Sequence, residues 1–173
     1  MNRRLNLLAV NMNPMASTRQ GLSRIARALH RHFHVRVQTR HFPRLTQSSL
    51  READAVILGP QGTPFDAYGE SLRTLFEVIE MTRERPTLGI CGGCQAMVLA
   101  AGGKIGPMRG GIATQTYDGL EKQVGWRTVE AVMDNPLLTV GDTATVHVSH
   151  VEATTVLPPP YLRLAASDYC DVQ

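Results

Sequence analysis

The stretch "PTLGICGGCQAMVLAAGG", residues 86–103, decides how the chain is read. It begins as an apolar strand, continues as a helix, and carries Cys91 and Cys94, two of the chain's three cysteines. Three chemistries use cysteines this close: a redox dithiol, a metal half-site, and a turn that exposes one nucleophile. A dithiol needs two approachable thiols at a helix start, one with a lowered pKa, and the spacing satisfies that. A structural zinc site needs four ligands, yet Cys170 is distant and the histidines show no paired metal spacing. The flanks favour the third chemistry. Gly89, Gly92 and Gly93 keep the turn around Cys91 small, as an approaching carbonyl requires. The helix start favours thiolate at Cys91, and the Gly92 N–H can donate to an oxyanion. Cys94, one turn later, reads as a small buried side chain beside Met97 or Val98.

Outward from this turn, apolar strands and helical patterns alternate. Leu5 to Val10, Val35 to Thr39, Ala55 to Leu58 and Leu88 to Ile90 read as strands. Ser17 or Thr18 is the expected cap of a helix with an apolar stripe of Leu22, Ile25, Ala26, Leu29 and Phe33. A second helix is expected over 69–84, with Leu72, Leu75, Phe76, Ile79 and Met81 facing inward, and a third over Gly92 to Ala101. Continuous apolar strands between helices predict an α/β fold: three layers around a mixed, mostly parallel central sheet, with functional loops at the strands' carboxyl ends. After Gly111 the pattern changes. "VGWRTVEAV", "TATVHVSH" and "LRLAAS" read as extended segments of a meander or of an edge extension of the sheet. The prolines of "VLPPPYL" place residues 156–162 in a surface connection.

The chain has 173 residues, 43% of them hydrophobic, which suits one folded domain spanning 1–173. Three cysteines and a basic start too short for a secretory segment favour a cytoplasmic protein, and no run is long enough to span a membrane. The net charge of +3 is uneven: residues 1–50 hold nine arginines and no acid, for +9, while 51–173 carry −6. Such a basic segment is a solvated helix face, a surface for a protein partner, or a nucleic-acid surface. The nucleic-acid reading lacks support, since there is no zinc-finger spacing, lysine tract or aromatic ladder.

"GICGGCQ" resembles the nucleophile motif of the class I glutamine amidotransferases through Gly89, Ile90, Cys91, Gly93 and Gln95. Other segments follow in that family's order. "AVILGPQGTP", residues 55–64, resembles its strand and oxyanion loop, "VGWRTV" its extended segment after the nucleophile helix, and "NPLL" its pre-strand turn. "VSHVEATTVLPPPYLRLAAS" is similar to its histidine-containing turn and return strand. The resemblance implies that Cys91 attacks the side-chain amide of glutamine or a γ-glutamyl compound. Gly92 and the backbone around Gly59 to Gly62 would receive the oxyanion, and Gln95 would position substrate or brace the loop. Ammonia leaves and the thioester is hydrolysed. It implies a synthetase partner that accepts ammonia, and neither cofactor nor metal.

The family's general base comes from a late His-Pro-Glu or similar motif, which this chain does not contain. It stops at "ASDYCDVQ", so the domain is expected to be C-terminally incomplete. His150 and Glu152 share the His-x-Glu spacing but align with an earlier turn near the glutamine site. His150 is therefore a replacement base, a substrate-site or bracing residue, or an ordinary turn residue; Glu152 reads as a solvated carboxylate. His147 alternates against Val146 and Val148 and reads as exposed or partly packed. An unpaired sheet edge would favour a homodimer. Two alternatives stand beside an amidotransferase: a non-catalytic relative that binds a metabolite or protein, and another Cys-dependent amide hydrolase.

Overall fold

The computed structural model describes residues 3–18, 21–109 and 116–172. Its centre is a four-stranded sheet of β1 (Leu5–Asn11), β2 (Val35–His41), β3 (Ala55–Leu58) and β4 (Thr87–Gly89), ordered β2-β1-β3-β4. Every pair is parallel, with Leu7 opposite Val37 and Ala55, and Leu58 opposite Gly89. The helices are α1 (Leu22–His32), α2 (Gln47–Arg51), α3 (Ser71–Thr82) and α4 (Gly92–Ala100).

Strand periodicity sorts the core. Leu8, Val10, Met12, Val56 and Leu58 point to one face and cluster with Leu50, Leu75, Val78, Ile79 and Ala96 from the helices. Ala9 and Ile57 alternate with them and are also buried, on the face where α1 meets β1 and β2. Covered on both faces, these strands need the unbroken apolar runs that the sequence shows. Tyr68 closes the main cluster at its upper end, its hydroxyl donating to the Met12 carbonyl at 2.7 Å.

The five expected contacts of α3 all reach this core: Leu75 and Ile79 are buried, and Leu72, Phe76 and Met81 pack against it. The first helix departs from expectation. Its N-cap is Gly21, at φ 66°, and Phe33 is its extended C-cap, 62% exposed. Ser17 and Thr18 lie upstream, where the Thr18 N–H closes a turn on Met15. The polar crossover before β3 contains α2, capped by the Thr46 hydroxyl.

The extended segments beyond α4 do not enlarge the central sheet. β5 (Lys104–Pro107) pairs antiparallel with β8 (Glu152–Val156), while β6 (Gln123–Ala131) joins β7 (Thr143–His150) and the two-residue β9 (Ala165–Ala166) in a second small sheet. Thus "LRLAAS" supplies only a two-residue bridge. β4 remains an edge strand among the described residues, with Leu88 58% exposed.

Candidate active site

Cys91 stands between β4 and α4 at φ 54°, the one non-glycine residue with positive φ among those described. This left-handed backbone costs about 1–3 kcal/mol for a residue with a side chain. Neighbouring bonds hold it: the Ile90 N–H donates to Leu58, the Gly93 N–H to Ile90, and the Gln95 N–H to the Cys91 carbonyl. Three glycines make the turn sterically possible. A β-carbon on Gly89 would lie 2.6 Å from the Cys94 amide nitrogen; on Gly93 it would collide with the Leu58 carbonyl, and on Gly92 with the Gln61 side chain. The result is a nucleophile elbow, as the glycine pattern predicts.

The sulfur is half-buried at the wall of a cleft of about 500 Å³, where the Ser149 carbonyl is its acceptor at 3.9 Å. Burial pushes the thiol pKa up, opposed by the Gly92 N–H and the charge of Lys122. The helix start alone therefore does not make a standing thiolate, and a proton acceptor is needed.

His150, the candidate replacement base, lies on the wall of the same cleft. Its Nε2 faces Gln123 Oε1 at 2.9 Å and its Nδ1 faces the Glu152 carbonyl at 3.1 Å. Gln95 donates to the same Glu152 carbonyl at 2.7 Å. His150 and Gln95 together brace the turn between β7 and β8. Gln123, the partner of His150, is buried, and its Nε2 has no hydrogen-bond partner among the described residues.

Glu152 is buried rather than solvated, and the Tyr117 hydroxyl donates to its Oε2 at 2.8 Å. Burial raises its pKa, opposed by the Tyr117 bond, with Asp66 adding a smaller upward push. Tyr117 is itself raised above the ordinary phenol, chiefly by burial and then by its bond to Glu152.

In the loop after β3, two backbone amides are engaged within the protein. The Gly59 N–H donates to Val10 at 3.0 Å and the Gly62 N–H to Asn13 Oδ1 at 3.3 Å. Pro60 has no N–H. Gln61 lines the cleft, and its N–H has no acceptor among the described residues. A β-carbon on Gly92 would sit 3.1 Å from that nitrogen, placing it beside the elbow. The Gln61 amide thus adjoins Gly92 at the elbow. Gly59 serves packing: a β-carbon there would meet Leu22 at 2.9 Å.

Arg24, Tyr117, Lys122 and His147 also line the cleft, and sequence reasoning missed all four. Only His147 carried a signal, since period two puts it on the same strand face as Ser149. Its ring packs edge-to-face on Trp126 with centroids 5.4 Å apart. The other cysteines stand aside. Cys94 is exposed rather than packed, and Cys170 is buried with its thiol donating to Val172. All three are free, and the described residues hold no cluster of three or more metal-ligating side chains.

The fold and the elbow define a three-layer α/β domain with Cys91 on a tight strand-to-helix turn at the carboxyl end of its parallel sheet. The family model "Glutamine amidotransferase class-I" matches residues 15–168, and the chain belongs to that family. Its relatives include the glutamine-hydrolysing GMP synthase subunit of Methanothrix thermoacetophila, 32% identical over 80% of this chain and 67% of that protein. The corresponding protein of Methanosarcina barkeri is 36% identical over 51% of this chain, a stretch that spans only 41% of the relative's length. A solved structure from Thermoplasma acidophilum, assigned as a GMP synthase subunit, superposes with a TM-score of 0.71 at 19% identity, covering 100% of this chain and 78% of the other. A glutamine amidotransferase from Thermotoga maritima gives 0.64 at 23% identity, over 97% and 69%. These structural likenesses bear on the fold. No helix among the described residues is long and apolar enough to cross a membrane.

Proposed function

We propose that this domain hydrolyses the side-chain amide of glutamine, or of a related γ-glutamyl compound, through a thioester on Cys91. The observation that carries this reading is the strained Cys91 elbow opening on a cleft with the Gln61 and Gly92 amides beside it. A base takes the thiol proton, the sulfur attacks the amide carbon, and the two N–H groups stabilise the oxyanion. Collapse forms the thioester, and the amide nitrogen leaves as ammonia after taking up a proton. Water then cleaves the thioester to a γ-carboxylate and restores the thiol.

The proton acceptor is an imidazole oriented by a carboxylate. His150 braces the wall of the site. Ammonia passes to a synthetase partner, a reading supported by the glutamine-hydrolysing GMP synthase relatives.

The test supplies glutamine to the protein with and without its synthetase partner and measures glutamate release. Turnover that disappears in Cys91→Ala supports the proposal; turnover unchanged by that substitution sinks it. A second reading, a module that binds a γ-glutamyl ligand without turnover, is favoured by the raised thiol pKa and the engaged His150. It predicts equal ligand binding by the native chain and Cys91→Ala, with no glutamate formed by either.

A further inference from the structure

Two cations open on the Cys91 cleft. Arg24 lies on the first turn of α1, Lys122 stands immediately before β6, and both line the cleft and are exposed. The ion pairs formed among the described residues, Arg3–Asp54, Arg73–Glu77 and Arg83–Glu80, include neither. The first turn of α1 holds no acidic residue. α1 begins against the loop after β3, since a β-carbon on Gly21 would lie 3.1 Å from Pro60, and Arg24 lines the same cleft as Cys91. The charge of Lys122 is felt at the sulfur, where it favours thiolate.

The one carboxylate lining the cleft does not neutralise them. Glu152 is buried and held by the Tyr117 hydroxyl, whereas Arg24 and Lys122 are exposed. Two unneutralised cations facing one concave site raise the local concentration of anions and are themselves stabilised by one. Guanidinium offers a fork that fits a carboxylate, and ammonium adds a mobile point charge.

We propose that Arg24 and Lys122 form a carboxylate clamp, which selects acyl donors bearing a carboxylate beyond the amide that Cys91 attacks. The clamp deepens the amide-hydrolase reading and rests on it for the identity of the donor. A γ-glutamyl compound that keeps its α-carboxylate satisfies the clamp; a plain amide of the same length does not. Arg24 and Lys122 act on binding and orientation, so their loss raises KM more than it lowers kcat.

Two alkylating reagents of nearly equal size test the charge selection without requiring turnover. Iodoacetate and iodoacetamide each transfer a two-carbon group to the thiolate, with iodide leaving and the thiol proton passing to buffer. Rates at Cys91 and Cys94 are read separately by peptide mass spectrometry at alkaline pH. Cys94 is the internal reference, being exposed and outside the cleft lining. The iodoacetate-to-iodoacetamide ratio at Cys91 should exceed that at Cys94 by about 3- to 10-fold, as expected for two partly solvated charges. It should fall to the Cys94 value in Arg24→Ala/Lys122→Ala, persist in Arg24→Lys/Lys122→Arg, and shrink in about 0.5 M salt.

Protection gives a second readout: glutarate, a dianion, should slow iodoacetamide at Cys91, and neutral glutaramide should not. Equal ratios at the two cysteines, or a preference unchanged in the alanine double variant, overturn the clamp, as does equal protection by glutarate and glutaramide. Failure to hydrolyse glutamine bears on the proposed function alone. Turnover retained without the labelling preference removes only the clamp.

Discussion

Replacing Gly93 by alanine tests whether backbone contact between α4 and β3 builds the elbow. A β-carbon at that position would collide with the Leu58 carbonyl oxygen and lie 2.7 Å from the Leu58 carbonyl carbon and 2.9 Å from its Cβ. Ordinary contact begins at 3.4 Å, so the carbonyl-carbon contact alone demands a shift of about 0.7 Å, from 2.7 to 3.4 Å. The obstacle is backbone of a central strand and cannot rotate away. The same Leu58 carbonyl accepts from Ile90, so displacement also pulls on the residue before Cys91. Overpacking of this kind costs about 1–3 kcal/mol, equivalent to a fall of roughly 2–12 °C in Tm for a domain of this size. Thermal melts followed by circular dichroism would measure it, with Gly106→Ala as the control. A β-carbon at Gly106 would meet only Thr155 at 3.5 Å, an ordinary contact. If Gly93→Ala melts together with Gly106→Ala and Cys91 is alkylated at the native rate in both, close backbone contact is not what shapes the turn.

Other perturbations separate bracing from chemistry. His150→Ala removes a ring bonded to Gln123 and the Glu152 carbonyl and leaves Gln123 with a second unmet amide atom, so it should lower stability by about 1–3 kcal/mol in urea titration. His150→Ala should not abolish the Cys91 alkylation rate; loss of that rate in a folded variant would return His150 to the role of base. Glu152 has its folded-state pKa raised by burial above the ordinary 4.5, so its protonated form is favoured by folding. That contribution is complete below about 4.5 and is lost as pH rises through the folded value. Glu152→Gln, which keeps an acceptor for Tyr117 without the charge, should therefore melt above the native protein near neutrality, with the gap closing in acid. A gap that widens in acid would show the sign to be wrong. Alkylation of Cys91 by neutral iodoacetamide should show a pH midpoint above that of an ordinary thiol, because burial outweighs Gly92 and Lys122. A midpoint near neutrality would contradict this.

The strand and helix order was legible because it follows local patterns. Apolar runs at Leu5 to Val10 and Ala55 to Leu58 became the central strands β1 and β3, and the 3.6-residue stripe of Leu72 to Ile79 became the buried side of α3. Helix starts were less legible. Ser17 and Thr18 have good capping side chains, but α1 begins where Gly21 adopts positive φ beside Pro60. Cys94 was read as buried from its residue type, yet its place on α4 leaves it exposed.

The elbow is a local matter, because a cysteine between strand and helix flanked by Gly89, Gly92 and Gly93 satisfies a steric need that lies within a few residues. Tertiary structure decided which groups are free to act. The Gly62 amide is engaged by Asn13, 49 residues away, His150 by Gln123, 27 residues away, and Glu152 is buried against Tyr117. The clamp residues, Arg24 and Lys122, come from segments far apart in sequence that line the same cleft. Hydrogen-bond occupancy, burial and cleft charge depend on which groups meet in space, and no local pattern of residue types encodes those meetings.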